Sequence, residues 1–185
     1  LEQARGSMEL IGSVKATSIA ATSIDTFESA GSWIASANVT VASDTSDYKE
    51  SATSLDLTIA VGFTTGLVAY RNATAVDLTT PQHYSLQLWI KSSGGAAASD
   101  YSIVLDDTNG CASPLETIAL PILAAGTWKQ VTLDLAVPTT DSAILCWGLQ
   151  ANVDDGGEVI TLDLLEAPRE VTAISLVVAN ALNGE

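Results

Sequence analysis

The sequence predicts an all-β fold, a sandwich or barrel of eight or so antiparallel strands, from three observations. Apolar and polar residues alternate over short windows, as in SLDLTIAV (54–61), YSLQLWIK (84–91) and WKQVTLDL (128–135). Turn-rich stretches such as DLTTPQ, TNGCASP, AAGT and DDGG separate such windows at spacings of about 10 to 15 residues. Ala, Thr, Ser, Val and Leu dominate, and no long stretch carries a helical period.

Residues 1–23 read as an N-terminal arm or first edge strand, with 1–7 read as vector-derived because the only methionine, Met8, follows Gly6 and Ser7. Clear strands begin with NVTVAS at Asn38. In the next, Leu55, Leu57, Ile59 and Val61 face one way and Ser54, Asp56 and Thr58 the other. GLVAYR (66–71) follows, then YSLQLWIK, in which Leu86, Leu88 and Ile90 alternate with Gln87, Trp89 and Lys91. SSGGAAASD (92–100) has the composition of a flexible connection. YSIVLDD (101–107), a short LETIAL, and WKQVTLDL with Val131, Leu133 and Leu135 inward come next. ILCWGLQANV (144–153) and EVITLDLLEA (158–167) are the last strong segments, and residues 168–185 form an apolar C-terminal extension. The domain is therefore expected over residues 24–167.

A length of 185 residues suits one domain with a full core. The formal net charge of −15 repels nucleic acid and anionic membrane surfaces, so neither is an expected partner. No apolar run reaches the roughly 20 residues that span a bilayer. LEQARGSMEL also lacks the apolar core of a signal peptide, so no export signal is expected. Cys111 and Cys146 are the only cysteines and are expected as buried free thiols, a disulfide being the alternative.

Catalysis has little to stand on. Asp106-Asp107 and Asp154-Asp155 flank turn residues, where Asp is common for backbone reasons. The single histidine, His83, follows Pro81 and reads as a surface or edge residue. The sequons at Asn38 and Asn72 matter only in a eukaryotic secretory protein.

The aromatic residues carry the functional signal. Trp89 lies on the polar face of its strand with Gln87, a place for a ring that stacks on a pyranose face or is covered by protein. Tyr70 with Arg71 is a second candidate pair for reading a sugar. Trp128 is expected to plug an end of the sandwich, Trp33 to pack locally and Trp147 to lie in the core. For Trp89 the expectation is contact with another subunit first, cover by one of the chain's own arms second, and sugar stacking third.

Five segments in order resemble the jelly-roll modules of the carbohydrate-binding, galactose-binding-like family. They are IDTFESAGSW (24–33), VTVASDTSDYKESATSLDLTI (39–59), YSLQLWIKSS (84–93), AAGTWKQVTLDL (124–135) and VITLDLLEA (159–167). The chain departs from the family pattern at Glu50, taken to stand where the family has Gly, and at Leu164, which replaces an acid. The resemblance implies a jelly-roll β-sandwich and, in some members, a structural calcium, for which Asp25, Glu28, Asp47 and Asp163 stand at comparable places. It also implies two settings: modules of extracellular polysaccharide-degrading enzymes, and bacteriophage virion proteins of the tail or capsid surface. Acidity, the two arms and the single unattached module favour a non-enzymatic virion component, a capsid decoration or tail protein at the virion surface. Its expected partners are other subunits, in a homo-oligomer, and surface glycans. The alternative is an extracellular carbohydrate-binding module.

Overall fold

The alternation read from the sequence becomes two stacked antiparallel sheets in the computed structural model, which describes residues 21–80 and 83–169. The strands are β1 (Thr22–Asp25), β2 (Trp33–Ala35), β3 (Val39–Asp44), β4 (Ser54–Ile59), β5 (Gly66–Val76), β6 (Ser85–Ser92), β7 (Tyr101–Asp106), β8 (Glu116–Ala119), β9 (Lys129–Asp134), β10 (Ile144–Ala151) and β11 (Glu158–Ala167). One sheet has the order β3-β4-β11-β6-β9, with β1 also paired to β11; the other has the order β2-β5-β10-β7-β8. The jelly-roll sandwich expected from the sequence is thus the observed architecture. The N-terminal arm up to residue 20 and the C-terminal extension from residue 170 lie outside the described residues.

The core lies between the sheets. Leu55, Leu57, Leu86, Leu88, Ile90, Ile160 and Leu162 from one sheet meet Val68, Ile103, Leu105, Trp147 and Leu149 from the other, all buried. Each such aliphatic side chain contributes on the order of 1.5–3 kcal/mol by leaving water. Val61 does not join them. β4 ends at Ile59, so the chain turns before the alternation can carry Val61 inward, and it is 77% exposed. Residues 92–100 are tied down rather than loose: Ala96 bridges Leu123, and the Ser99 amide donates to the Leu120 carbonyl at 2.9 Å.

His83 is fully buried, not a surface residue. Its Nε2 lies 3.0 Å from the Thr22 hydroxyl and its Nδ1 2.9 Å from the Pro168 carbonyl oxygen. The imidazole therefore clasps the start of β1 to the residue that follows β11, which satisfies both ring nitrogens inside the fold.

Cys111 and Cys146 are joined, with Cα atoms 5.4 Å apart, contrary to the expectation of free thiols. The buried Asp106 carboxylate explains how the loop returns to β10. Its oxygens accept the amides of Thr108 and Ser113, both at 3.0 Å, and the Gly110 amide donates to Asn72 Oδ1 at 2.8 Å. The loop is thereby folded flat over the sheet, with Cys111 above Cys146.

Candidate functional site

The four residues proposed to read a ligand fall on different surfaces. Gln87 and Trp89 lie on the outer face of the first sheet, half-buried, between the inward-pointing Leu86, Leu88 and Ile90. Tyr70 belongs to the second sheet and packs at the edge of the Val104, Cys111 and Cys146 cluster, on that sheet's outer side. Arg71 points the other way. Its guanidinium bonds Asp25 at 2.7 Å and lies over the ring of the buried Trp147, so it links the two sheets and leaves the ligand-reading set. Trp147 completes this node by donating its indole N–H to Asp25 Oδ2 at 2.8 Å.

Trp89 is covered in part by the loop between β3 and β4. Asp47 in that loop accepts the Trp128 indole N–H at 2.7 Å and the Lys91 ammonium at 2.5 Å. Those two donors, Lys91 first, hold the Asp47 carboxyl below its usual range. Trp128 thus lies beside Lys91 on the sheet's outer side instead of plugging an end of the sandwich. The Lys49 ammonium sits 5.9 Å from the ring centres of both Trp89 and Trp128, within cation–π range. The Trp89 indole nitrogen is buried without a partner.

The same loop is held from below by Asp163, whose Oδ2 accepts the amides of Lys49 at 2.6 Å and Glu50 at 2.8 Å. Glu28 holds the far end through the amides of Ala52 at 3.1 Å and Thr53 at 3.3 Å. Burial pushes the Asp163 carboxyl up, against these amide bonds. The left-handed residue of the turn is Ser51, at φ 60°, and not Glu50. On β11 the residue after Asp163 is also left-handed: Leu164, at φ 43°, forms the bulge between Asp163 and Leu165.

The four carboxylates suggested for calcium do not meet in one centre. Asp25 is committed to Arg71, Trp147 and the Phe27 amide, and Asp47 to Lys91 and Trp128. Glu28 and Asp163 face loop amides, which are donors and not cation ligands; of this set only Asp163 Oδ1 is buried with no partner. A cage of six to eight oxygens is not assembled from these side chains.

The outer face of the second sheet is buried at its centre, at Val104, Cys146 and Gly148, and partly exposed toward Tyr70. Gly148 lies between Tyr70 on β5 and Val104 on β7 in the pairing register. A Cβ at Gly148 would stand 2.6 Å from the Ala69 carbonyl oxygen and 3.0 Å from Tyr70 Cβ, so only glycine lets β5 approach this closely. The result is a shelf in which the partly buried Tyr70 ring and Leu67 lie against the buried Gly148 backbone. Ile34, 45% exposed, pairs with Tyr70 across the strand, and Gln150 and Asn152 lie toward the end of β10. The disulfide closes one side. Sequence reading missed Gly148, although a glycine inside a strand pattern is the signal that marks close backbone approach.

No family model matches the sequence, and no curated protein matches it. Solved structures do. A family 11 carbohydrate-binding module from Clostridium thermocellum, in complex with a beta-1,3-1,4-mixed-linked tetrasaccharide, superposes with a TM-score of 0.54 at 12% identity, over 82% of this chain and 98% of that one. A carbohydrate-binding module of the beta-sandwich super family gives 0.55 at 18% identity, over 80% of this chain and 62% of that one, so this chain spans less than two thirds of that relative. The C-terminal family 22 carbohydrate binding module of a Clostridium thermocellum protein gives 0.50 at 20% identity, over 81% and 94%. At these identities the likeness establishes the β-sandwich fold.

Proposed function

We propose that this protein is a non-enzymatic glycan-binding module whose sugar platform is the outer face of the second sheet. One observation carries the reading: Tyr70 presents a partly exposed ring on the outer side of the second sheet, paired in register with Ile34, which is 45% exposed. Aromatic rings stack on pyranose C–H faces, and the Gln150 amide, held by Asn152 through one N–H, keeps its carbonyl oxygen to pair with hydroxyls. The carbohydrate-binding modules among its structural neighbours support glycan binding. Trp89 is a weaker platform because Lys49 and the β3–β4 loop already occupy its surroundings. A disulfide favours an oxidising, extracytoplasmic setting. The virion-component reading rests on acidity, the absence of an expected export signal, a single module and the two arms, most of whose residues are not among those described, and the structural neighbours lend it no support.

Affinity electrophoresis through gels of soluble β-glucan, xylan and galactan tests the proposal. Retardation of the parent protein should fall about tenfold or more in Tyr70→Ala and persist in Trp89→Ala. Retardation by no polysaccharide, or its loss in Trp89→Ala alone, overturns it.

A further inference from the structure

A second acidic site lies away from the candidate sugar face and is independent of that reading. Glu116 on β8 and Asp141, in the segment between β9 and β10, are 1% and 0% exposed. Glu116 accepts the Ala136 amide at 3.0 Å on one oxygen and the Val137 amide at 2.7 Å on the other, which leaves each oxygen with a free lone pair. The turn that begins there closes through the Thr140 amide on the Val137 carbonyl at 3.0 Å and leads straight into Asp141. The backbone carbonyl of Asp141 is fixed in turn by the Leu78 amide at 2.9 Å.

Neither oxygen of the Asp141 carboxylate meets a donor in hydrogen-bond geometry, although the Thr140 hydroxyl is near enough to favour its ionised form. The adjacent Thr140 hydroxyl donates to the Val137 carbonyl at 2.9 Å instead. Among the described residues the two ion pairs are Arg71–Asp25 and Lys91–Asp47, so no protein cation answers this charge. Burial, and then the neighbouring charge of Glu116, push the Asp141 carboxyl up to about 6 against a smaller opposing effect of the Thr140 hydroxyl, which leaves it mostly ionised at neutral pH. A fully buried carboxylate without a well-formed hydrogen bond or a counter-ion is costly, and a bound cation removes the cost.

We propose that Glu116 and Asp141 form a binding site for a hard divalent cation of the calcium class. The side-chain donors are oxygens from two separated segments, the chemistry that calcium and magnesium take and softer metals do not prefer. Two carboxylates match a divalent charge, and carbonyl oxygens and water complete the shell. The cation would pin the β9–β10 segment to β8.

Equilibrium dialysis of chelator-stripped protein against calcium chloride, with a parallel magnesium chloride arm, tests this. The expected result is about one ion per chain, lost in Asp141→Asn and in Glu116→Gln but kept in Asp163→Asn. Thermal unfolding with saturating calcium should rise by several degrees in the parent and not in Asp141→Asn. Asp141→Asn is nearly isosteric, and its circular dichroism confirms the fold before binding is read. Binding of magnesium in place of calcium at the same residues also supports the site. No bound ion, binding lost only in Asp163→Asn, or a protein stabilised by acid and indifferent to both metals overturns it, the last by showing that a proton neutralises Asp141.

Discussion

The Asp163 carboxylate accepts the backbone amide of Glu50 at 2.8 Å, across 113 residues of sequence, and the Lys49 amide with it. β11 thereby holds down the loop that carries Lys49 over Trp89 and Trp128. Replacing Asp163 by Asn keeps the shape and removes the charge that strengthens both bonds. Hydrogen bonds to charged groups contribute about 1.5–3 kcal/mol each before the cost of burying that charge is subtracted, so a net loss of about 1–3 kcal/mol is expected. Urea denaturation reads the loss, and hydrogen exchange should show earlier opening of residues 47–53. Unchanged exchange there would mean that Asp163 does not hold the loop.

Ser51 and Glu50 are distinguished by their backbones. A non-glycine residue at φ 60° carries a strain of about 1–2 kcal/mol, partly offset by the entropy a glycine adds to the unfolded chain. Ser51→Gly should therefore stabilise by roughly 0.5–1 kcal/mol. Glu50→Gly should be neutral or destabilising, since Glu50 is not left-handed and gains only unfolded-state entropy. Paired thermal melts decide it.

The disulfide closes a loop across 35 residues. Constraint of the unfolded chain over that length is worth roughly 3–4 kcal/mol, less whatever structure the reduced chain retains. The Cys111→Ser, Cys146→Ser double variant should lose about that much, measured by denaturant midpoint. Because the bridge closes one side of the Tyr70 shelf, polysaccharide retardation should weaken in the same variant.

Much of this fold was legible because period-two alternation is local. Leu86, Leu88 and Ile90 needed only their own strand to be placed inward. What escaped depends on partners distant in sequence. Arg71 reads as a surface residue beside Tyr70, yet a buried Asp25 from the other sheet draws it inward. His83 reads as an edge residue until Thr22 and Pro168 are seen on either side of its ring. The candidate site was half legible for the same reason. An outward-facing ring can be read from alternation, but Lys49 above Trp89 and the close approach of β5 to Gly148 beside Tyr70 are relations between separate strands and loops.

Gly148 gives a test of the shelf that does not remove an aromatic ring. A methyl group there meets the Ala69 carbonyl oxygen at 2.6 Å, a contact backbone atoms cannot yield without moving β5 away from β10. Overpacking of this kind costs about 1–3 kcal/mol, so Gly148→Ala should still fold, with a lowered melting temperature. Polysaccharide retardation should drop with it, since Tyr70 rides on the displaced strand. Retardation equal to the parent would detach the sugar platform from this face.

The acid limb of stability offers the last test. Burial raises the Asp106 carboxyl, but the Ser113 and Thr108 bonds outweigh it and leave the group below its usual 3.8. A carboxyl lowered by folding binds protons more tightly in the unfolded chain, so its contribution is complete above about pH 4 to 5 and fades as pH falls through the folded value. Asp106→Asn should lose about 1–3 kcal/mol at pH 7 through weakened bonds to the loop. The gap to the parent should narrow below about pH 4, where the parent's own carboxyl takes up its proton. Urea midpoints from pH 7 down to 3 measure both, and a gap constant across that range would show that the Asp106 charge contributes nothing to holding Cys111 over Cys146.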